Sequence, residues 1–88
     1  MLISKQKEIN QRNAEGNPDG YWEHCFPNGQ LSWKGNYING KEDGLWEVYW
    51  VNGQLCSKGK FINDEKEGLW EDYDEEGNVT KKAYYVNI

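Results

Sequence analysis

Apolar and polar residues alternate in short runs along most of this chain, and the runs recur at a fixed step. A shift of 24 positions superposes Gly20, Gly44 and Gly68, then Trp22, Trp46 and Trp70, Glu23, Glu47 and Glu71, and Gly29, Gly53 and Gly77. The register continues through Leu31, Leu55 and Val79, through Gly35, Gly59 and Ala83, and through Tyr37, Phe61 and Tyr85. Self-similarity of this kind marks a repeat architecture, with three copies at 20–43, 44–67 and 68–88. Within each copy, period-2 alternation gives two half-buried strands, separated by Asn28-Gly29, Asn52-Gly53 or Glu76-Gly77. Asn-Gly accepts the positive φ angles of a type I′ turn, so each copy reads as a hairpin. The runs from Asn39 to Gly44 and from Asn63 to Gly68 read as polar turns between hairpins. No segment carries an apolar 3.6 period of useful length. The fold expected is all-β: a twisted single-layer antiparallel meander of about six strands, built from three 24-residue β-hairpin repeats.

With Asn28 and Gly29 as the two turn residues, direct opposition pairs Phe26 with Leu31, His24 with Trp33, Trp22 with Gly35 and, on the other face, Glu23 with Lys34. The later copies set Trp46 opposite Gly59, Trp70 opposite Ala83, Glu47 opposite Lys58 and Glu71 opposite Lys82. A large ring thus covers a small residue in each copy, a device that pins register. The opposite face gains a Glu–Lys ladder, each pair contributing roughly a few tenths of a kcal/mol.

Composition narrows the function classes. Five tryptophans and six tyrosines in 88 residues are not the make-up of a disordered chain. A net charge of −5 argues against direct nucleic-acid binding and against an anionic membrane surface, both of which need clustered Lys and Arg. No stretch approaches the roughly 20 apolar residues of a membrane span, and residues 1–11 lack the apolar core of a secretory signal, so a cytoplasmic location is expected. Cys25 and Cys56 lie three strands apart in a meander, too far to bridge at about 4.8 Å per strand, and read as reduced packing residues. His24 is the single histidine and reads as an edge or surface residue; no metal site and no cofactor is expected. No catalytic residue is assigned either. The glycines sit at turns between strands rather than before a helix. His24 and Cys25 point to opposite faces, and Asp72 and Asp74 share their surroundings with Lys81.

The unit Gly-Leu-Trp-Glu-x-Tyr-x-x-Asn-Gly-Gln-Leu-x-x-Lys-Gly-x-Phe-Ile-Asn, clearest from Gly44 to Asn63, resembles the MORN-variant repeat, and the resemblance covers residues 20–88. It implies an elongated sheet of stacked β-hairpins. Copy three departs from the pattern, with Asp74 at the position of Phe26 and Trp50, and Glu76 and Asn78 around the turn glycine, which suits a capping role. Short bacterial chains with this variant are often described as antitoxins of toxin–antitoxin modules, so the resemblance implies an antitoxin-like role.

Residues 1–19 read as an amino-terminal arm or a degenerate edge strand. Asn17-Pro18-Asp19 superposes on Lys41-Glu42-Asp43 and Gly16 on Gly40, whereas Lys7 falls on Leu31 and Asn13 on Tyr37. Positions identical in all copies are explained by the fold, so function is sought where copies differ. His24, Phe26 and Trp33 become Val48, Trp50 and Ser57, then Asp72, Asp74 and Lys81. Phe26, Trp33 and Trp50, with Trp22 and Trp46, form the candidate partner-binding surface, centred on Trp33 and Trp50. The acidic residues Asp72, Asp74 and Glu75 would complement a basic partner. The leading reading is a non-catalytic module that binds another protein, as an antitoxin or inhibitor occluding a basic toxin, nuclease or effector. One alternative is a structural repeat whose aromatic face is consumed by a homodimer, by curling of the sheet or by residues 1–12. Another is a phage-derived inhibitor of a host defence nuclease.

Overall fold

The computed structural model describes residues 8–87. Residues 1–7 of the amino-terminal arm, and Ile88, lie outside the described residues. Six strands form one open antiparallel sheet in chain order: β1 (Gly20–Cys25), β2 (Leu31–Ile38), β3 (Lys41–Tyr49), β4 (Leu55–Ile62), β5 (Glu65–Tyr73) and β6 (Val79–Tyr85). The expected all-β meander is what forms, with no helix among the described residues. Its radius of gyration, 15.0 Å, exceeds the roughly 12 Å of a compact domain of this length. A single layer has no second layer to bury its apolar face, and among the described residues only Trp46 and Trp70 are buried apolar side chains, at 5% and 6% exposure.

The expected hairpin pairs form: Trp22 with Gly35, His24 with Trp33, Trp46 with Gly59, Trp70 with Ala83 and each Glu with its Lys. The ends of the hairpins differ. Cys25, not Phe26, pairs with Leu31, and the register shifts by a bulge after His24. Gly29 N–H donates to the Phe26 carbonyl at 2.9 Å, and Phe26 N–H donates to the Gln30 carbonyl at 2.8 Å. Only Gly29 has a left-handed φ, +86°, so the turn is a type I turn closed by a glycine bulge rather than type I′. The same turn forms in all three hairpins, and in copy one the chain itself excludes the alternative. A two-residue turn at Asn28-Gly29 would require an N–H donor at Pro27, which has none; Pro27 instead takes the second turn position that its fixed φ suits. Glu76 then fits the third copy, because its position needs no positive φ. Asn28 and Asn52 cap their turns by accepting the N–H groups of Gln30 and Gln54 at 2.9 Å, while in copy three Asp74 takes over by accepting those of Glu76 and Asn78 at 2.9 Å.

Type I′ geometry appears between the hairpins instead. Asn39 and Gly40 have φ of +48° and +84°, and Asn63 and Asp64 have +53° and +70°. Each of these connections is two residues long, so Lys41–Gly44 and Glu65–Gly68, read as turns from sequence, are strand. Asp64 is held in its unusual conformation from both sides: its N–H donates to the Glu42 carbonyl at 2.9 Å and its carboxylate accepts the Glu42 N–H at 2.6 Å. One repeat earlier, Gly40 N–H donates to the Pro18 carbonyl at 2.7 Å and Asp19 accepts the Asn39 N–H at 2.8 Å. Pro18 and Asp19 therefore do what Glu42 and Asp43 do 24 residues on. Arg12 and Pro18 form an isolated bridge just outside β1.

A bulge of three residues against one joins each hairpin to the next. Lys34 pairs with Glu47 and Asn36 with Asp43, so the single residue Gly35 faces Gly44, Leu45 and Trp46; Gly59 faces Gly68, Leu69 and Trp70 in the same way. Gly44 and Gly68, at φ +80° and +69°, permit this excursion. The ring on each glycine is therefore not that of its hairpin partner, as expected, but that of the next copy: the indole of Trp46, not Trp22, is laid flat on Gly35 and that of Trp70, not Trp46, on Gly59, and a Cβ at either glycine would collide with the ring. Each indole N–H reaches a carbonyl of the strand beneath, Trp46 to Asn36 at 3.1 Å and Trp70 to Lys60 at 3.0 Å. Burying an indole removes roughly 150–250 Å² from water, an upper bound of about 4–6 kcal/mol per ring. Gly59→Ala is therefore expected to lower the unfolding free energy by about 2–3 kcal/mol. Ala83→Gly, where no ring follows, should cost less than about 1 kcal/mol. Urea midpoints measure both; equal effects would contradict the ring-on-glycine contact.

Candidate functional site

Strand alternation puts Trp22, Trp33, Tyr37, Trp46, Phe61 and Trp70 on one face, and the ring contacts run across it without a break. Trp22 meets Tyr37 edge-on at 5.9 Å, Tyr37 meets Trp46 at 5.0 Å, Trp46 meets Phe61 at 6.0 Å and Phe61 meets Trp70 at 4.9 Å. Trp33 extends the row sideways, stacked at 5.2 Å on Trp46 and at 5.5 Å on His24. Edge-to-face and offset geometries are those that aromatic quadrupoles favour. Trp22, Trp33, Tyr37 and Phe61 remain half-exposed, because one layer of strands covers only one side of each ring. Trp33, Tyr37, Glu42, Trp46, Val48, Phe61 and Trp70 line a cavity of about 270 Å³ open on this face.

Of the partner-binding candidates read from sequence, Trp22, Trp33 and Trp46 come together here. Phe26 and Trp50 do not, because the bulge before each turn takes them off the face. Both open their turns, and the Trp50 indole N–H donates to the Tyr73 carbonyl of the next hairpin at 3.1 Å. Asp72 lies opposite Lys81 and accepts the Ser57 hydroxyl at 2.9 Å. Asp74 is a turn cap, and the N–H groups it accepts, Asn78 first, hold its carboxyl below the ordinary range. Glu75 is exposed, and its carbonyl accepts the Asn52 amide at 3.0 Å. The acidic candidates therefore sit around the third turn rather than beside Trp33. Cys25 is exposed and Cys56 half-buried, so only Cys56 packs as expected; burial, then Asp72, raises its thiol.

The residue that sequence reasoning passes over is Glu42, placed in a turn run when it belongs to β3. Its backbone is clipped by Asp64 and its side chain lines the cavity. Burial, then the Asp64 carboxylate, pushes its carboxyl above the ordinary 4.5. Burial, then Glu42, also raises the Tyr37 hydroxyl. The signal was present in the repeat itself: the 24-residue step puts Pro18, Glu42 and Lys66 at one equivalent position.

The opposite face carries one continuous row, Glu23, Lys34, Glu47, Lys58, Glu71 and Lys82, each paired with the next across the whole sheet. Lys34–Glu47 and Lys82–Glu71 close to 3.8 Å. Tyr21 and Tyr49 brace the row by donating to Glu23 at 2.7 Å and Glu47 at 3.0 Å.

Comparison with known proteins gives one match: the family model described as MORN repeat variant fits residues 42–63 and 66–87, together half of the chain. No curated protein and no solved structure matches.

Two outcomes follow from these side chains. Trp50→Asp would set a carboxylate against the Tyr73 carbonyl in place of a half-buried donor, and a loss of about 2–3 kcal/mol in stability is expected by denaturant titration. The Tyr21 hydroxyl is pushed up to about 12, first by burial and then by its bond to Glu23. The folded chain thus holds this proton more tightly than the unfolded one, which titrates near 10.0. The contribution is complete below that pH and is lost as pH rises toward 12. Tyr21→Phe should flatten the fall in urea midpoint between about pH 9 and about pH 11.5; an unchanged slope would remove Tyr21 as the cause.

Proposed function

The chain belongs to the MORN repeat variant family, whose repeats are non-catalytic and generally serve as protein- or membrane-binding modules, and on that premise we propose that it binds another protein through its aromatic face. In its most concrete form the chain is a cytoplasmic antitoxin or inhibitor that occludes a basic toxin, nuclease or effector. One observation carries this reading: Trp22, Trp33, Tyr37 and Phe61, joined through Trp46, form a row that stays half-exposed although Arg12 lies over Trp22 and His24 stacks on Trp33. Half-exposed tryptophan and tyrosine at the centre of a patch are the side chains that dominate protein interfaces. The net charge of −5 supports a basic partner, which it would attract from a distance, and disfavours an anionic lipid surface.

The test uses Trp33→Ser, since copy two carries Ser57 at the equivalent position and so accepts that residue type. Co-expression with a growth-arresting basic protein encoded beside this chain should restore growth. Trp33→Ser should abolish rescue and weaken the complex by about tenfold or more in calorimetry, at a temperature where circular dichroism shows the variant still folded despite the lost stacking on Trp46. Full rescue by the variant would remove the aromatic face from the interface.

A further inference from the structure

The indoles Trp22, Trp46 and Trp70 are repeat-equivalent, yet they are not treated alike. The Arg12 guanidinium lies 5.2 Å from the Trp22 ring centre, and the Lys66 ammonium lies 4.6 Å from that of Trp70 and 5.4 Å from that of Tyr85. A cation above an aromatic face is attracted by the negative charge of the π system. At Trp46 no described residue supplies one. The position that bears Lys66, four residues before Trp70, bears Glu42 four residues before Trp46, and the ring that corresponds to Tyr85 is Phe61. The middle site thus keeps the rings of its neighbour and replaces the internal cation with a carboxylate. Among the described residues Glu42 forms no ion pair.

We propose that the cavity formed by Glu42, Trp33, Tyr37, Trp46, Phe61 and Trp70 is a binding site for the ammonium head of a lysine side chain presented by the partner protein. The proposal deepens the protein-binding reading and rests on it for the carrier of the lysine. Charge complementarity selects the ligand. An anion would meet Glu42, and an apolar group would shut the carboxylate away from water without a counter-charge. An ammonium gains both the carboxylate and the ring faces, as Lys66 gains the faces of Trp70 and Tyr85 one repeat on. Size points the same way. At about 270 Å³ the cavity falls just below the roughly 300–1,000 Å³ of drug-sized ligand sites and suits one side chain. The raised carboxyl of Glu42 fits a group whose counter-charge arrives with the partner.

The experiment needs no partner. N-acetyl-lysine amide is titrated into the full chain while the indole N–H signals of Trp22, Trp46 and Trp70 are followed by NMR, with N-acetyl-norleucine amide as the uncharged control. A saturable shift centred on Trp46 is expected with the lysine derivative and none with the norleucine derivative. Glu42→Gln should weaken binding about fivefold or more, and Glu42→Lys, which supplies an internal cation as Lys66 does at Trp70, should abolish it. An undisturbed Trp70 signal in both variants shows that the sheet is intact. No saturable shift, equal binding of the norleucine derivative, or unchanged affinity in Glu42→Gln would overturn the proposal. A protein partner that binds Glu42→Lys as tightly as the natural chain would overturn it too, while leaving the protein-binding reading in place.

Discussion

A tryptophan laid across the glycine of the preceding strand is the contact on which this sheet depends. A six-stranded single layer has no second layer to pack against, so its apolar burial must come from neighbouring strands. Gly35 and Gly59 leave space for a flat indole, and the bulges at Gly44–Trp46 and Gly68–Trp70 carry the ring into that space. The indole N–H is satisfied in the same movement by a carbonyl of the strand beneath, so no buried side-chain donor among the described residues is left unpaired. Because each ring belongs to one repeat and its glycine to the previous one, the contact couples copies rather than completing them. Stability is then a sum over neighbours. The ends of the chain agree with this. Ala83 stands in β6, at the edge of the described sheet, and Trp22, on the opposite edge strand, donates instead to the Gln11 carbonyl at 3.0 Å.

The two faces of the layer divide the work. One carries alternating charges paired across every strand, which sets register and keeps that side in water. The other concentrates the rings. Among the described residues Trp46 and Trp70 are the buried apolar side chains on it, because each has a glycine beneath and a ring packed edge-on against it. The remaining aromatics hold these two in place and keep an open side of their own. The surface available to a partner is therefore a consequence of how a one-layer repeat buries anything at all.

Much of this was legible in the chain. The 24-residue step, the strand alternation and the pairing of Trp22, Trp46 and Trp70 with Gly35, Gly59 and Ala83 all follow from positions that repeat, since each copy must satisfy the same neighbours. What escaped was set by bulges, which change no residue type and leave no mark on an alternating pattern. Strict alternation puts Phe26, Trp50 and Asp74 on the aromatic face; the glycine bulge at each hairpin end moves them to the turns. An Asn-Gly pair suits two turn geometries, and at Asn28-Gly29 the neighbouring Pro27 decides between them. Glu42 was hidden because Gly40 and Gly44 bracket it in what looks like a turn, when its segment is the start of β3.

The claim that the aromatic face is built for another protein rests on that face being open when the chain is alone. Light scattering of the purified chain across a wide concentration range tests this most directly. A solution mass of one chain at every concentration is the expected result. A stable dimer at low concentration would contradict it, because Trp33 and its neighbouring rings would then be consumed by a second copy.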